Sequence, residues 1–178
     1  MSDRPSALQR IQIGVEGTAG TYANVTRLLR SATIQIQPQA EVDQIRASGF
    51  LVDTMTAENR EWTSAPFTME PDYNEIIYVL SSAVARPSGG TPAIAGTTTA
   101  GTAYLWTFTP SSNAGNTLST LTVEHGDANH AEAFPYGHVT DLTLEVTRQN
   151  ANLTGTMVGQ RLIMGASLTG GAALVSDT

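Results

Sequence analysis

Apolar and polar residues alternate with a period of two through most of the chain. Ile11, Ile13 and Val15 alternate with Gln12 and Gly14. Leu28 and Leu29 lead into Ala32, Ile34 and Ile36, which alternate with Thr33 and Gln35. Trp62, Ser64 and Pro66 alternate with Thr63, Ala65 and Phe67, and Tyr104, Trp106 and Phe108 mark one face of a later segment. Leu118, Thr120, Thr122 and Glu124 alternate with Leu121 and Val123. The cleanest case is Leu142, Leu144 and Val146 against Asp141, Thr143, Glu145 and Thr147. A turn at Gln149-Asn150 then predicts a hairpin, with a return strand from Leu153 to Met164. Period two sends successive side chains to opposite faces, so these segments read as about seven or eight half-buried strands.

One stretch breaks the pattern. In DYNEIIYVLSSAVA (72–85), Tyr73, Ile76, Ile77, Leu80 and Val84 fall at helical spacing and make one apolar stripe. Asp72 is placed to cap the first free N–H groups, and Glu75 to complete a capping box. Pro71 precedes the cap, and Pro87 with Gly89-Gly90 ends the helix. A lone amphipathic helix must bury its stripe on a sheet. The predicted fold is therefore mainly β, an antiparallel sandwich or barrel with one flanking helix over 72–85.

Between these elements, PQAEVDQIRASGFLVDTMTAENRE (38–61) has no clean period. Loops of that length inside compact domains are usually functional or disordered. Val42, Ile45, Phe50, Leu51, Val52 and Met55 make it too apolar for free disorder. It reads either as a loop folded over its own core or as an arm that packs on another subunit. Residues 86–101 are Gly, Thr, Pro and Ala in bulk, a flexible connection, and AFPYG (133–137) contains a turn. The expected organisation is a loose arm (1–9), one β domain (10–165) and a small, mobile tail (166–178).

Composition narrows the function. The chain has 178 residues, enough for one domain with a real core. Only 14% are charged, against about 25% in typical globular chains. That low density suggests a surface that largely faces protein. The formal charge is −7, and all nine basic residues are arginine. Such a chain repels phosphate and has no nucleic-acid-binding footprint. There is no cysteine, hence no disulfide framework and no thiolate metal site. MSDRPSALQR lacks an apolar signal core, and no run is long enough to span a membrane.

Candidate chemistry is sparse. His125, His130 and His138 lie near Asp127, Glu132 and Asp141, but their spacing matches no named metal motif, and surface histidines are expected. GTAGT (17–21) lacks the lysine of a phosphate-binding loop and reads as a turn. The aromatic residues Tyr104, Trp106 and Phe108 read as core rather than as a stacking platform. No G-x-S-x-G elbow is present. The Asn24 and Asn152 sequons read as chance matches. No catalytic residue, metal or cofactor is expected.

The order of segments carries more. IGVEGTAGTYANVTRLL (13–29), REWTSAPFTMEPDYNEIIYVLSSAV (60–84), AYLWTFTP (103–110) and TLTVEHGDANHAEAFPYGHVTDLTLEVTR (120–148) follow one another as they do in phage major tail proteins. Over residues 10–165 the chain resembles a tail tube subunit of tailed bacteriophages, of the long non-contractile kind. The resemblance implies a β-barrel or sandwich with a flanking helix, assembled as six-fold rings stacked into a tube. It implies a virion tail protein assembled in the host cytoplasm. Its partners would be copies of itself and the tail terminator, tail-tip and tape-measure proteins, with genome DNA passing the lumen without specific binding and no membrane contact. Asp141 and Glu145, on the polar face of the cleanest strand, are candidate lumen carboxylates; the same residues could equally face bulk solvent. Val42, Ile45, Phe50, Leu51, Val52 and Met55 are candidate inter-subunit contacts. The rival classes are a lectin-like or adhesin-like β-sandwich using Tyr104 and Trp106, a tail-tip or baseplate hub sharing the tube fold, and a hydrolase built on His125 and Asp141.

Overall fold

A computed structural model describes residues 9–87, 97–99, 103–165 and 167–174. The expected arm 1–9, except Gln9, falls outside these residues, as do most of the 86–101 connection and the last four residues of the tail.

Among the described residues the fold is mainly β, with one helix. Its strands are β1 (Arg10–Val15), β2 (Arg27–Leu29), β3 (Thr33–Ile34), β4 (Gln37–Ile45) and β5 (Met55–Met69), followed by α1 (Ile76–Ala83). Then come β6 (Thr97–Thr99), β7 (Ala103–Leu105), β8 (Leu121–Gly126), β9 (Ala131–Val146), β10 (Ala151–Gly159), β11 (Ile163–Gly165) and β12 (Ala173–Leu174). β6 and β7 pair with each other; the rest form one continuous array in the order β12-β2-β1-β8-β9-β10-β5-β3, with β11 on β9 and β4 on β5. All pairings are antiparallel except β12 on β2.

The sixteen-residue β9 turns this array into a sandwich. Its first half pairs with β8 and β11, and its second half with β10. Between the halves the register slips, where Leu121 opposes Gly137 but Val123 opposes Phe134. Tyr136 takes φ 60° there. The extra residues form a bulge that bends the strand from one layer into the other. AFPYG is thus a bend within a strand, not the expected turn; Pro135 is accommodated because a bulge frees its neighbours from the ladder.

Ile11, Ile13, Leu29, Leu121, Val123 and Phe134 from one layer pack against Ala65, Phe67, Met69, Val139, Leu153 and Met157 from the other. The part of this core on β1, β5 and β8 was legible as their apolar alternation. β1 and β8 are not half-buried, however. Gln12, Thr122 and Glu124, on their other face, are also buried, because the 16–26 loop and the 167–172 segment cover them.

Further elements differ from the periodicity reading: the expected Tyr104–Phe108 strand is only β7, which ends at Leu105, and β6 lies within the expected 86–101 connection. Leu28 to Ile36 is two strands, β2 and β3, which lie at opposite ends of the strand order. The return strand 153–164 is likewise split into β10 and β11. The helix is shorter than 72–85. Tyr73 is 90% exposed in the turn before it and packs on nothing within the sheet. Ile77 is buried, and Ile76, Leu80 and Val84 are half-buried. The most buried face is instead Ile77, Tyr78, Val79, Ser81 and Ser82. The capping box does not form, since Glu75 is fully buried and its Oε1 accepts the Arg30 N–H at 2.9 Å. The serines explain the rotated face. Ser82 Oγ accepts the Val139 N–H at 3.2 Å, and the Ser81 carbonyl accepts the Ser119 N–H at 2.9 Å. Small polar residues that bond the sheet directly let the helix seat closely against β9.

Candidate functional site

The stretch 38–61 is not a loop. β4 and the first half of β5 form a long hairpin, from Gln37 opposite Ser64 to Ile45 opposite Met55. Beyond its root the hairpin pairs only with itself, with a bulge between Glu41 and Val42. Thr54 N–H donates to the Ile45 carbonyl at 3.1 Å, and Asn59 Nδ2 donates to Asp43 Oδ2 at 2.6 Å. At the root, the Arg60 guanidinium lies 4.6 Å from the Trp62 ring centre, and Arg161 pairs with Glu61 at 3.0 Å. Glu58 is pushed up from the usual carboxylate range by its hydrogen bond to Glu61 and by that neighbour's charge.

Among the described residues, the large apolar side chains of this arm are not part of the core or of the set packed against it. Val42, Ile45 and Met55 are about half exposed or more; Phe50 is 59%, Val52 69% and Leu51 95% exposed. A loop folded over its own core is therefore ruled out. A cluster of large apolar side chains on a projecting hairpin is the kind of surface that marks a protein contact.

Asp141 and Glu145 lie on the outer face of the layer formed by β9, β10, β5 and β3. One row across it is Thr143, Thr154, Thr68 and Thr33; the next is Asp141, Thr156 and Pro66, with Gln35 bonded to Pro66. Asn152 stands opposite Glu145, and His138, Val158, Ser64 and Gln37 form the row on the arm side. Asp141, Thr143 and Glu145 are exposed. Asp141 borders an open depression of about 480 Å³ lined by Thr33, Thr68, Thr154, Thr156 and Gln35 among others. The face offers hydroxyls, amides and two carboxylates, and none of the residues in these rows is an arginine. Periodicity located Asp141 and Glu145; the threonine row was invisible, because it is made by register between four strands distant in sequence.

The covered face of β1 and β8 carries a further set of residues that sequence reading missed. Glu16, 2% exposed, accepts hydrogen bonds from Thr122 Oγ1 (2.9 Å), Tyr136 N–H (2.8 Å) and Gly20 N–H (2.8 Å). Glu124, 3% exposed, accepts from Tyr22 OH and from the hydroxyl (2.7 Å) and N–H (2.9 Å) of Thr169. These carboxylates clip the GTAGT turn, the 22–23 segment and the C-terminal segment onto the sheet. Burial, and then the Glu124 carboxylate, push the Tyr22 phenol up to about 12. Each carboxylate accepts three hydrogen bonds from the segments it holds.

The histidines do not converge. His125 stands across from Glu132, His130 Nε2 is 4.0 Å from Glu132, and His138 Nδ1 lies 3.3 Å from the Tyr136 carbonyl. Burial lowers the His125 pKa, with the Glu132 charge opposing it. Among the described residues no three metal-ligating side chains gather. Trp106 and Phe108 are half-buried outside the main core, and the side chain of Tyr104 lies outside the described residues. No helix among the described residues is long and apolar enough to cross a membrane. No protein-family model matches the chain, and no curated protein matches it.

Proposed function

We propose that this chain is a structural subunit of a bacteriophage tail tube, of the long non-contractile kind, which assembles into stacked six-fold rings and conducts genome DNA. The observation that carries this reading is the projecting β4–β5 arm. Among the described residues nothing covers its apolar tip, and an exposed apolar cluster of this kind marks a surface that a partner buries. The segment order noted above supplies the family to which such an arm belongs. The polar layer face supports the lumen assignment. Duplex DNA would meet hydroxyls and the Asp141 and Glu145 carboxylates, and nothing in the named rows would neutralise its phosphates.

In this arrangement the rings grow by head-to-tail contacts that close by rotation, and the arm joins ring to ring. The tail terminator, tail-tip and tape-measure proteins act at the tube's ends and within it. The protein performs no chemistry.

Negative-stain electron microscopy of the purified protein at high concentration tests the proposal. Rings or tubes with a regular axial repeat and a central channel are expected. Monomers that persist at high concentration, and also after addition of a purified tail-tip complex, would overturn it.

A further inference from the structure

The end of the molecule opposite the arm carries a second uncovered apolar patch. The core-facing row of β9 runs Leu142, Leu144, Val146. Leu142 packs against the core, but Leu144 is 52% and Val146 71% exposed. The β9–β10 hairpin thus continues its apolar face past the end of the core. Tyr73, 90% exposed, belongs to the same end: it follows Met69 by four residues, and Met69 pairs with Leu153, which pairs with Leu144. The arm leaves from the other end of β5. Met55 to Met69 spans about 46 Å at roughly 3.3 Å per residue, so arm tip and patch cannot meet within one chain.

Each surface carries charges of both signs that can pair across a contact. The tip carries Arg46 and Asp53 beside Phe50, Leu51 and Val52. Glu70 and Asp72 lie at this end of the molecule, together with Arg148 and with Arg30, whose N–H donates to Glu75 and whose neighbour Ser31 donates to the Glu70 carbonyl. The tip's cation can face the carboxylates while Asp53 faces Arg148.

We propose that the tip of the arm, Phe50 to Val52, docks on the Tyr73–Leu144–Val146 patch of a second copy of this chain. The inference rests on the tube reading and names the surface that receives the arm. A donor at one end of a layer and an acceptor at the other make a heterologous contact, which propagates instead of closing into a dimer.

The chain has no cysteine, so engineered thiols report cleanly. The variant carrying both Leu51→Cys and Val146→Cys, oxidised in the assembled state, should give a ladder of covalent multimers beyond the dimer on a denaturing gel. Either single variant should stop at the dimer. The pair Phe50→Cys with Tyr73→Cys covers the case in which the first pair assembles poorly. Tubes without a ladder from either pair would overturn this contact and leave the tube reading standing. A ladder without rings or tubes would keep the contact and overturn the tube reading. Neither ladder nor tubes would overturn both.

Discussion

Glu16 ties three separate segments of the fold together. It joins the end of β1 to the GTAGT turn, to Thr122 on β8 and to Tyr136 at the bend of β9. Removing its carboxylate orphans three donors, and a buried unpaired donor costs about 1–3 kcal/mol. Glu16→Ala should lower the unfolding free energy by about 3 kcal/mol, read from urea unfolding; a loss below about 0.5 kcal/mol would mean that water replaces the carboxylate. Tyr22 gives a pH signature. Its pKa is raised in the fold, so the neutral phenol is the favoured form. The stability it contributes is whole below its ordinary value of 10.0 and is lost as pH rises through about 12. An alkaline titration of phenolate absorbance should show a component near 12 that disappears in Tyr22→Phe. Gly155 is a packing requirement. A Cβ there would stand 2.5 Å from the Asp141 carbonyl oxygen and 3.0 Å from the Phe67 ring. Gly155→Ala should destabilise by about 1–3 kcal/mol through overpacking of the layer, and a thermal melt equal to wild type would refute the tight approach.

At the scale of elements, the arm and the helix behave oppositely. The arm adds nothing to the core, so changing it should leave the fold intact. Phe50→Ser should keep the circular dichroism spectrum and the melting temperature of the wild-type chain while reducing assembly on size-exclusion chromatography. Normal tubes from a well-folded variant would remove Phe50 from the interface. The helix is bound into the fold by Tyr78, Ser81 and Ser82, so substitutions there should unfold the chain rather than alter its contacts. The two elements were legible to different degrees for one reason. A helix announces itself by local spacing, but its buried face is chosen by what it meets. Here the Ser82 hydroxyl accepting the Val139 N–H and the Ser81 carbonyl accepting the Ser119 N–H turned that face from the Tyr73 stripe toward the serines. The arm showed no period because it has no covered face; its exposed β4–β5 ladder puts no pressure on side-chain alternation.

For the whole molecule, the tube reading makes an electrostatic prediction. With Asp141 and Glu145 in the lumen wall, replacing both by lysine turns a repelling surface into a binding one. Tubes of that double variant should retain duplex DNA at low salt and release it at high salt, because phosphate binding is driven by counterion release. Wild-type tubes should retain none. DNA retention unchanged between the two would place these carboxylates outside the lumen. The two apolar ends of the molecule belong to the same scale, since neither is explained by the monomer and each offers what the other lacks.

Sequence by itself determined the class of fold, most strand positions, the existence of one helix and part of the apolar set of the core. These are local consequences of side-chain period, and period survives without knowledge of neighbours. It also placed Asp141 and Glu145 on one polar face and marked Phe50, Leu51 and Val52 as apolar residues outside any regular pattern. Tertiary structure alone decided the rest. It split two expected strands, made a hairpin of 38–61 and bent β9 at Tyr136. It buried Glu16, Glu75 and Glu124 as hydrogen-bond centres, assembled a threonine row from four strands and left Leu144, Val146 and Tyr73 uncovered. Each of these depends on pairing between segments far apart in the chain, and pairing is a property of register and coverage, which no single stretch of sequence contains.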